Sequence, residues 1–253
     1  MKKIISMLAF VAMISVSFTA CKDDDEEVAP DGTVSLEFTN IAGNKNVDTT
    51  GATTYTTALG QSFNIKRLKY YISNVKLLKN NAVVYTMPES YFLVDESKQS
   101  STKLSIPKVP NGSYDRIQFM VGVDSARNVS GAQSGALTPS DMFWSWSTGY
   151  IFFKLEGQST SAPGGNYVYH IAGFKDPNVA SRTIDLTFNG ASLVVEGSRE
   201  AEIHVFADVL KVFNGGPATV DLSTTYNVMT TGANSMKIAD NYADMFTFDH
   251  LHN

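Results

Sequence analysis

The sequence has one cysteine among 253 residues. A single thiol excludes a disulfide framework within the chain and excludes zinc sites built from several thiolates. Proline and glycine are also few, at 8 and 18 residues, so the composition is not that of a fibrous protein. Because 43% of the residues are hydrophobic, the chain is too apolar to be disordered. Its length suits one large β domain or two small domains.

Positive charge is also scarce, since 20 Lys and Arg stand against 25 Asp and Glu. A net charge of −5 does not favour nucleic-acid binding, and we expect no nucleic-acid partner. The common catalytic signatures are missing: there is no G-x-S-x-G, no P-loop, no G-x-G-x-x-G after a strand and no H-E-x-x-H. No pair of base and nucleophile can be named, so we predict that the protein is not an enzyme.

The amino terminus has the pattern of an export signal. Lys2 and Lys3 precede an uncharged, mostly apolar run over 4–18. This run is shorter than the ~20 residues of a membrane span and ends in small residues, which is typical of a secretory signal peptide. The segment 18–21 ends in Cys21 and resembles a bacterial lipobox, whose cysteine receives lipid and becomes the mature N-terminus. We predict a signal peptide over 1–20 and lipidation of Cys21.

An acidic run over 22–27 follows the cysteine directly. Like charges repel and no apolar group is available to bury, so 21–31 is predicted to be an acylated, solvated tether before a domain over 32–253. The run also resembles the acidic export signal of Bacteroidetes surface lipoproteins. The resemblance implies a cell-envelope protein held to the outer membrane by its lipid, either surface-exposed or periplasmic.

Short alternating segments separated by turn residues dominate the rest of the chain. Apolar and polar residues alternate over 34–38, and a strong strand pattern covers 63–78. Asn80 and Asn81 predict a hairpin turn after it. Near the C-terminus, apolar residues at i, i+4, i+7 and i+8 from Ile238 predict one helix, with Asn234 or Ser235 as its N-cap.

Many short strands and almost no helix indicate the fold class. We predict an all-β fold, a β-sandwich-like single domain with long loops and a short C-terminal helix. No linker-like change of composition divides the domain.

Four histidines are the natural ligands for copper or zinc in an exported chain without a usable thiol. In an extended segment the rings of His250 and His252 would point the same way and could share one ion; the alternative is a polar tail with two idle imidazoles. His170 lies in a strand pattern, where a lone histidine is usually structural. His204 shares an outward face with acidic residues and is interpreted as a surface position.

Both tryptophans, Trp144 and Trp146, lie in one aromatic segment that continues to Tyr150. Core packing is one interpretation, because tryptophan is a large side chain that is usually buried. The alternative is a stacking platform of these three residues on a surface adhesion or glycan-binding module.

Asp124, Asn128 and Asp141 offer oxygen ligands in loop sequence, and calcium would suit them. Their spacing matches no EF-hand, so turn and cap roles compete with the calcium interpretation.

Several motifs follow one another along the chain. The segment 142–150, which holds both tryptophans, is followed by 154–157. The other segments are 68–75, 91–96, 122–128, 130–133, 135–139, 170–174 and 241–246. Together and in this order they resemble the MbnP-like copper-binding protein family over about 34–252, and 142–150 with 154–157 resembles the family's tryptophan signature.

The resemblance implies a β-rich exported protein that captures or hands over copper. In the family a tryptophan is oxidised to kynurenine by a partner resembling the diheme peroxidase MauG, and the new aromatic amine joins histidines around the metal. Carried over to this chain, Trp144 or Trp146 would be modified and His170 would be a ligand. Phe143 stands where a second histidine is expected, which leaves His250 or His252 for that role. A member that has lost its metal site is the remaining alternative.

Overall fold

The computed structural model describes residues 31–129, 133–145, 147–197 and 199–253. The predicted signal peptide, Cys21 and nearly all of the tether lie outside these residues. The strands, numbered along the chain, are β1 (Gly32–Ala42), β2 (Lys45–Asn46), β3 (Tyr55–Thr56), β4 (Ser62–Phe63), β5 (Arg67–Lys79), β6 (Ala82–Thr86), β7 (Tyr91–Asp95), β8 (Lys103–Val109), β9 (Gly112–Tyr114), β10 (Arg116–Val121), β11 (Phe143–Ser145), β12 (Gly149–Tyr150), β13 (Phe153–Gln158), β14 (Asn166–Ile171), β15 (Phe174–Lys175), β16 (Asn178–Val179), β17 (Arg182–Thr187), β18 (Leu193–Val195), β19 (Glu200–Asp208), β20 (Asn227–Val228) and β21 (Phe246–His252). The helices are α1 (Ser125–Val129), α2 (Lys211–Asn214) and α3 (Ala233–Tyr242), and short 3₁₀ turns cover Gln99–Ser101, Gly135–Leu137, Pro163–Gly165 and Ala243–Met245.

Two sheets make up the framework. The five-stranded sheet has the order β2-β1-β19-β21, with β8 also paired to β1. The eight-stranded sheet has the order β17-β10-β5-β13-β14-β20, and β6 and β7 also pair with β5. Most pairs are antiparallel, but β1 and β19 run parallel although they are far apart in the chain. These two sheets with little helix confirm the all-β, sandwich-like prediction.

The core between the sheets is rich in aromatic rings. Phe38 of β1 and Phe246 of β21 come from the five-stranded sheet, and their ring centroids lie 5.8 Å apart. Phe38 also contacts Tyr70 of β5 at 5.9 Å and Phe119 of β10 at 5.6 Å, both edge to face. Such offset contacts add stabilisation beyond buried area. The inward positions of the alternating strands therefore hold the two sheets together and leave the other positions on the outer faces.

A buried polar chain crosses the same core. The Tyr70 hydroxyl donates to Asn40 Oδ1 at 2.8 Å, and Asn40 Nδ2 donates to Glu96 Oε2 at 2.7 Å. Tyr70 and Asn40 are 0% and 4% exposed, so these bonds replace solvent for groups that water cannot reach. This series of hydrogen bonds links β1 of one sheet to β5 of the other.

The predicted hairpin at Asn80 and Asn81 is confirmed. The two residues join β5 to β6 and have φ angles of 51° and 64°. Positive φ at both central positions is the requirement of a type I′ turn, and asparagine tolerates it better than most residues.

The C-terminal helix is present as α3, but the expected N-cap is wrong. The cap position is Gly232, whose φ of 149° favours glycine, and the helix begins at Ala233. Ser235 lies inside the helix, is buried, and is 3.4 Å from the Ala172 carbonyl oxygen. Tyr242 ends α3, so the apolar spacing that continues past it belongs to a 3₁₀ turn and to β21. Among the described residues, no helix is long and apolar enough to cross a membrane.

Candidate metal centre

Three histidines meet on the outer face of the five-stranded sheet. His204 comes from β19, and His250 and His252 come from the neighbouring strand β21. One ring nitrogen from each of the three lies within 4.8 Å of the others. The rings of His204 and His250 stack at 4.2 Å with 12° between their planes, and the His252 ring stands almost perpendicular to both. This group is named the histidine cluster below.

A β-bulge in β21 places the two C-terminal rings on this face. Ile203 pairs with Leu251 and Val205 pairs with Phe248, so β21 has one more residue than β19 between these pairs. Strict alternation from Phe248, which packs against the core, would turn His250 and His252 inward as well. The extra residue reverses the alternation, and Leu251 packs inward while both histidines face outward.

The contacts within the cluster suit metal ligands. His250 Nε2 and His252 Nε2 are 3.1 Å apart. Two nitrogens bound to one ion at about 2.0–2.1 Å lie roughly 2.9–3.4 Å apart. On its other side His250 Nδ1 lies 2.9 Å from Asp249 Oδ2, and a carboxylate behind a ligating imidazole fixes its tautomer and orientation. Because the His204 and His250 rings are stacked, the His250 ring must rotate before both can bind one ion. The His250 side chain is 47% exposed, so it has room to rotate.

Charged residues continue from the cluster across the same sheet face. Glu202 Oε1 lies 3.5 Å from His204 Nε2 and 2.8 Å from Lys103 Nζ. A hydrogen bond to Glu202 raises the pKa of the Glu37 carboxyl. Burial raises the pKa of Glu202, but hydrogen bonds to Lys103 and Glu37 outweigh it and bring the pKa below its usual value. Glu37, Glu202 and His204 form a second group of ligand atoms within 4.8 Å of one another.

His170 does not join the histidine cluster. It lies on β14 in the eight-stranded sheet, on the outer face opposite the core-facing Tyr169. Its Nε2 contacts Glu156 Oε1 at 2.6 Å, and burial lowers its pKa. Its Nδ1 is buried and has no hydrogen-bond partner among the residues that the structure describes. The sequence-based ligand set of His170 with His250 or His252 is therefore divided between two sheets.

Trp144 lies on β11, in a small hairpin with β12 next to the eight-stranded sheet, and is half-buried against the core. Asp141 precedes this hairpin. It forms one ion pair with the buried Lys154 at 3.1 Å and another with Lys69 at 3.2 Å. The second tryptophan, Trp146, and the predicted lipidation site, Cys21, lie outside the described residues.

The glycan-platform interpretation is wrong for Tyr150. Its side chain is 0% exposed, and its hydroxyl donates to the Leu137 carbonyl oxygen at 2.5 Å. A buried ring cannot offer a flat face to a sugar.

The residues considered for calcium have structural partners. Asp124 Oδ1 accepts from the Arg127 amide at 3.2 Å, as a cap of α1 does. The Asn128 amide donates to the carbonyl oxygens of Val123 and Asp124 and accepts from the Tyr150 amide at 2.9 Å. The turn and cap interpretation describes these contacts.

Sequence reasoning missed His204 as a member of the cluster. The available signal was the alternation of Glu202 and His204, which places both on the outward face of their strand. The pairing of that strand with the C-terminal strand, which makes the cluster, has no local signal in the sequence.

Comparisons with known proteins agree with the fold. The MbnP family profile matches residues 31–231. Among solved structures, MbnP from Methylosinus trichosporium matches with a TM-score of 0.51 and 12% sequence identity, over 80% of this chain and 82% of that chain. At this identity the structural match shows a shared fold. None of the curated proteins matches the chain. Since the family profile covers most of the sequence, the chain belongs to the MbnP family.

Proposed function

We propose that this protein binds copper through the histidine cluster, as an exported and non-catalytic carrier that captures the ion or hands it over. The observation that carries the proposal is the meeting of three imidazoles, His204, His250 and His252, within 4.8 Å. Imidazole nitrogen suits copper and zinc, and copper(II) exceeds zinc in the general order of affinity for a given nitrogen and oxygen site.

The chemistry of the cluster fits copper as a cargo. His250 and His252 are both exposed, so an ion reaches them without any opening of the core. The aromatic core lies on the other side of the sheet, so the rings can rotate toward an ion without disturbing it. A site at the surface of an edge strand also lets a partner approach the bound ion, which suits handover better than permanent storage.

The kynurenine hypothesis concerns the other sheet. Family resemblance supports oxidation of Trp144 or Trp146. The buried Nδ1 of His170, which has no hydrogen-bond partner among the described residues, supports a nitrogen ligand on that side. The modification would require a peroxidase resembling MauG as a transient partner. Peptide mass spectrometry of protein from its native host tests it: a gain of about 4 Da on the peptide with both tryptophans is expected, and unmodified tryptophan in copper-replete cells would contradict it.

The lipid anchor and the cell-envelope location are part of the same proposal. The lipobox-like segment that ends in Cys21 and the acidic run after it support an outer-membrane lipoprotein, surface-exposed or periplasmic. In that position the tether would hold the domain near the membrane, where extracytoplasmic copper is encountered.

Titration of the purified protein with copper, followed by metal analysis, tests the site. Sharing the roughly 10–16 kcal/mol typical of structural zinc sites among the four ligands of such a site gives about 2.5–4 kcal/mol each. We therefore expect His204→Gln to weaken copper binding by about 10²–10³-fold, since 1.4 kcal/mol is a factor of ten. Glu200→Gln, on the same strand, leaves every histidine in place; it is the control and is expected to keep the wild-type affinity. A loss in the control, or none in His204→Gln, would overturn the assignment.

A further inference from the structure

The fourth side chain beside the histidine cluster is Glu202. It precedes His204 by two residues on β19, so the two side chains share the outer face. Across the strand pair, Glu202 lies directly opposite His252. The carboxylate is thus a neighbour of one histidine along its strand and of another across the sheet.

The distance from Glu202 to His204, the member shared by both groups of ligand atoms, is close to that of two ligands on one ion. Glu202 Oε1 is 3.5 Å from His204 Nε2, and this nitrogen has no hydrogen-bond partner within the described part of the chain. Two ligand atoms at about 2.0–2.2 Å from one ion lie roughly 3 Å apart. A small side-chain adjustment would therefore let both atoms bind the same ion.

Lys103 holds the carboxylate in the absence of an ion. Its ammonium lies 2.8 Å from Glu202 Oε1, and its side chain is 44% exposed. Because the lysine is exposed on the surface, it can leave the carboxylate oxygen when a cation arrives. The Lys103 ammonium therefore balances the charge of the Glu202 carboxylate until a metal ion takes the place of the ammonium.

We infer that Glu202 is the fourth ligand and makes the cluster select copper(II) over copper(I). The inference rests on the proposed copper function and names the form of copper that the site takes. Three imidazoles and a carboxylate form a set of nitrogen and oxygen donors, which suits the tetragonal preference of copper(II). Copper(I) is softer and gains less from a carboxylate, so removal of Glu202 affects the two oxidation states unequally.

The experiment compares affinities for both oxidation states in competition titrations, with copper(I) handled anaerobically. Glu202→Gln keeps the shape of the side chain and removes its charge. We expect it to weaken copper(II) binding at least 10-fold, to leave copper(I) binding within about 3-fold, and to change the copper(II) electron paramagnetic resonance spectrum. The 10-fold threshold is the lower end of what loss of a metal-site partner costs in affinity.

Glu200→Gln is the matched control. It removes the same charge from the same strand face, about 6–7 Å farther along β19, where Glu200 accepts a hydrogen bond from the Ser35 hydroxyl. We expect this variant to keep wild-type affinity for both oxidation states. Equal losses in Glu200→Gln and Glu202→Gln would show a general charge effect and would overturn the ligand assignment.

Lys103→Met provides an independent variant that leaves the carboxylate in place. Loss of the competing ammonium is expected to raise copper(II) affinity, and a lower affinity would contradict the inference. If wild-type protein binds neither oxidation state, the proposed function itself fails. If it binds copper and Glu202→Gln leaves the preference for copper(II) unchanged, the fourth-ligand inference alone fails.

Discussion

Lys154 and Asp141 form an ion pair next to the Trp144 hairpin. We expect the loss of stability on replacing one partner to depend on which of the two is replaced. The Lys154 side chain is 4% exposed, whereas the Asp141 side chain is 50% exposed. Lys154 Nζ also donates to the Asp141 backbone carbonyl oxygen. Asp141 has a second cation, because Lys69 Nζ lies 3.2 Å from it. Asp141→Asn therefore leaves a buried charge with weaker compensation, while Lys154→Met leaves a half-solvated charge that keeps a partner.

The magnitudes follow from this difference. Breaking a buried ion pair by removing one partner costs about 3–5 kcal/mol, and the remaining carbonyl acceptor places Asp141→Asn near the lower end. Lys154→Met removes the buried charge itself and retains most of the packing of the side chain, so about 1 kcal/mol is expected. For a domain of this size, 1 kcal/mol corresponds to about 2–4 °C in Tm.

Equilibrium unfolding in urea and thermal melts of the two variants measure this difference. The expected order is wild type, then Lys154→Met, then Asp141→Asn, with about 2 kcal/mol between the two variants. Unchanged slopes against denaturant would show that the unfolded state is comparable. A larger loss for Lys154→Met than for Asp141→Asn would refute the argument that burial of the lysine decides the result.

Two further predictions concern other polar groups. Burial lowers the pKa of His170. Burial raises the pKa of Glu156, but its hydrogen bond to His170 and a nearby arginine outweigh burial and lower that pKa overall. The folded state therefore binds fewer protons than the unfolded state, so stability should fall as pH drops below about 6.5, and His170→Gln should flatten this dependence between pH 7.5 and 5.5 in urea unfolding. Tyr70→Phe leaves Asn40 Oδ1 buried without its donor, so a loss of about 1–3 kcal/mol is expected in the same assay; a change below 0.5 kcal/mol would contradict it.

Local patterns in the sequence were sufficient for the fold class. Alternation predicted the strand that became β1, and the Asn80-Asn81 pair predicted a turn whose geometry follows from positive φ. The helix was also predictable from its spacing, but its start was not, because a glycine in an unusual backbone conformation occupies the cap position. These features depend on residues close together in the chain, which is why the sequence indicates them.

The candidate site depends on contacts that no local pattern encodes. His204 and His250 come together only because β19 pairs with β21 after intervening loops and helices. The family resemblance predicts His170 as a ligand, and the structure places that residue on a different sheet. Alternation does predict that His250 and His252 share a face, but it gives no information about which face or which neighbour.

The bulge in β21 compensates for one extra residue between Phe248 and His250, so the direction of the two C-terminal rings depends on how the strand pairs as well as on its sequence. Without the bulge, the same sequence would alternate strictly from Phe248 and direct His250 and His252 toward the core. Deletion of Asp249 would place His250 directly after the inward Phe248, and strict alternation would then keep both rings on the outer face with no bulge. Two related chains that differ by this one residue would therefore present the same pair of rings, one through a bulge and the other through a regular ladder. The register of β21 against β19, and not the presence of the His-x-His pair alone, decides which face carries the rings.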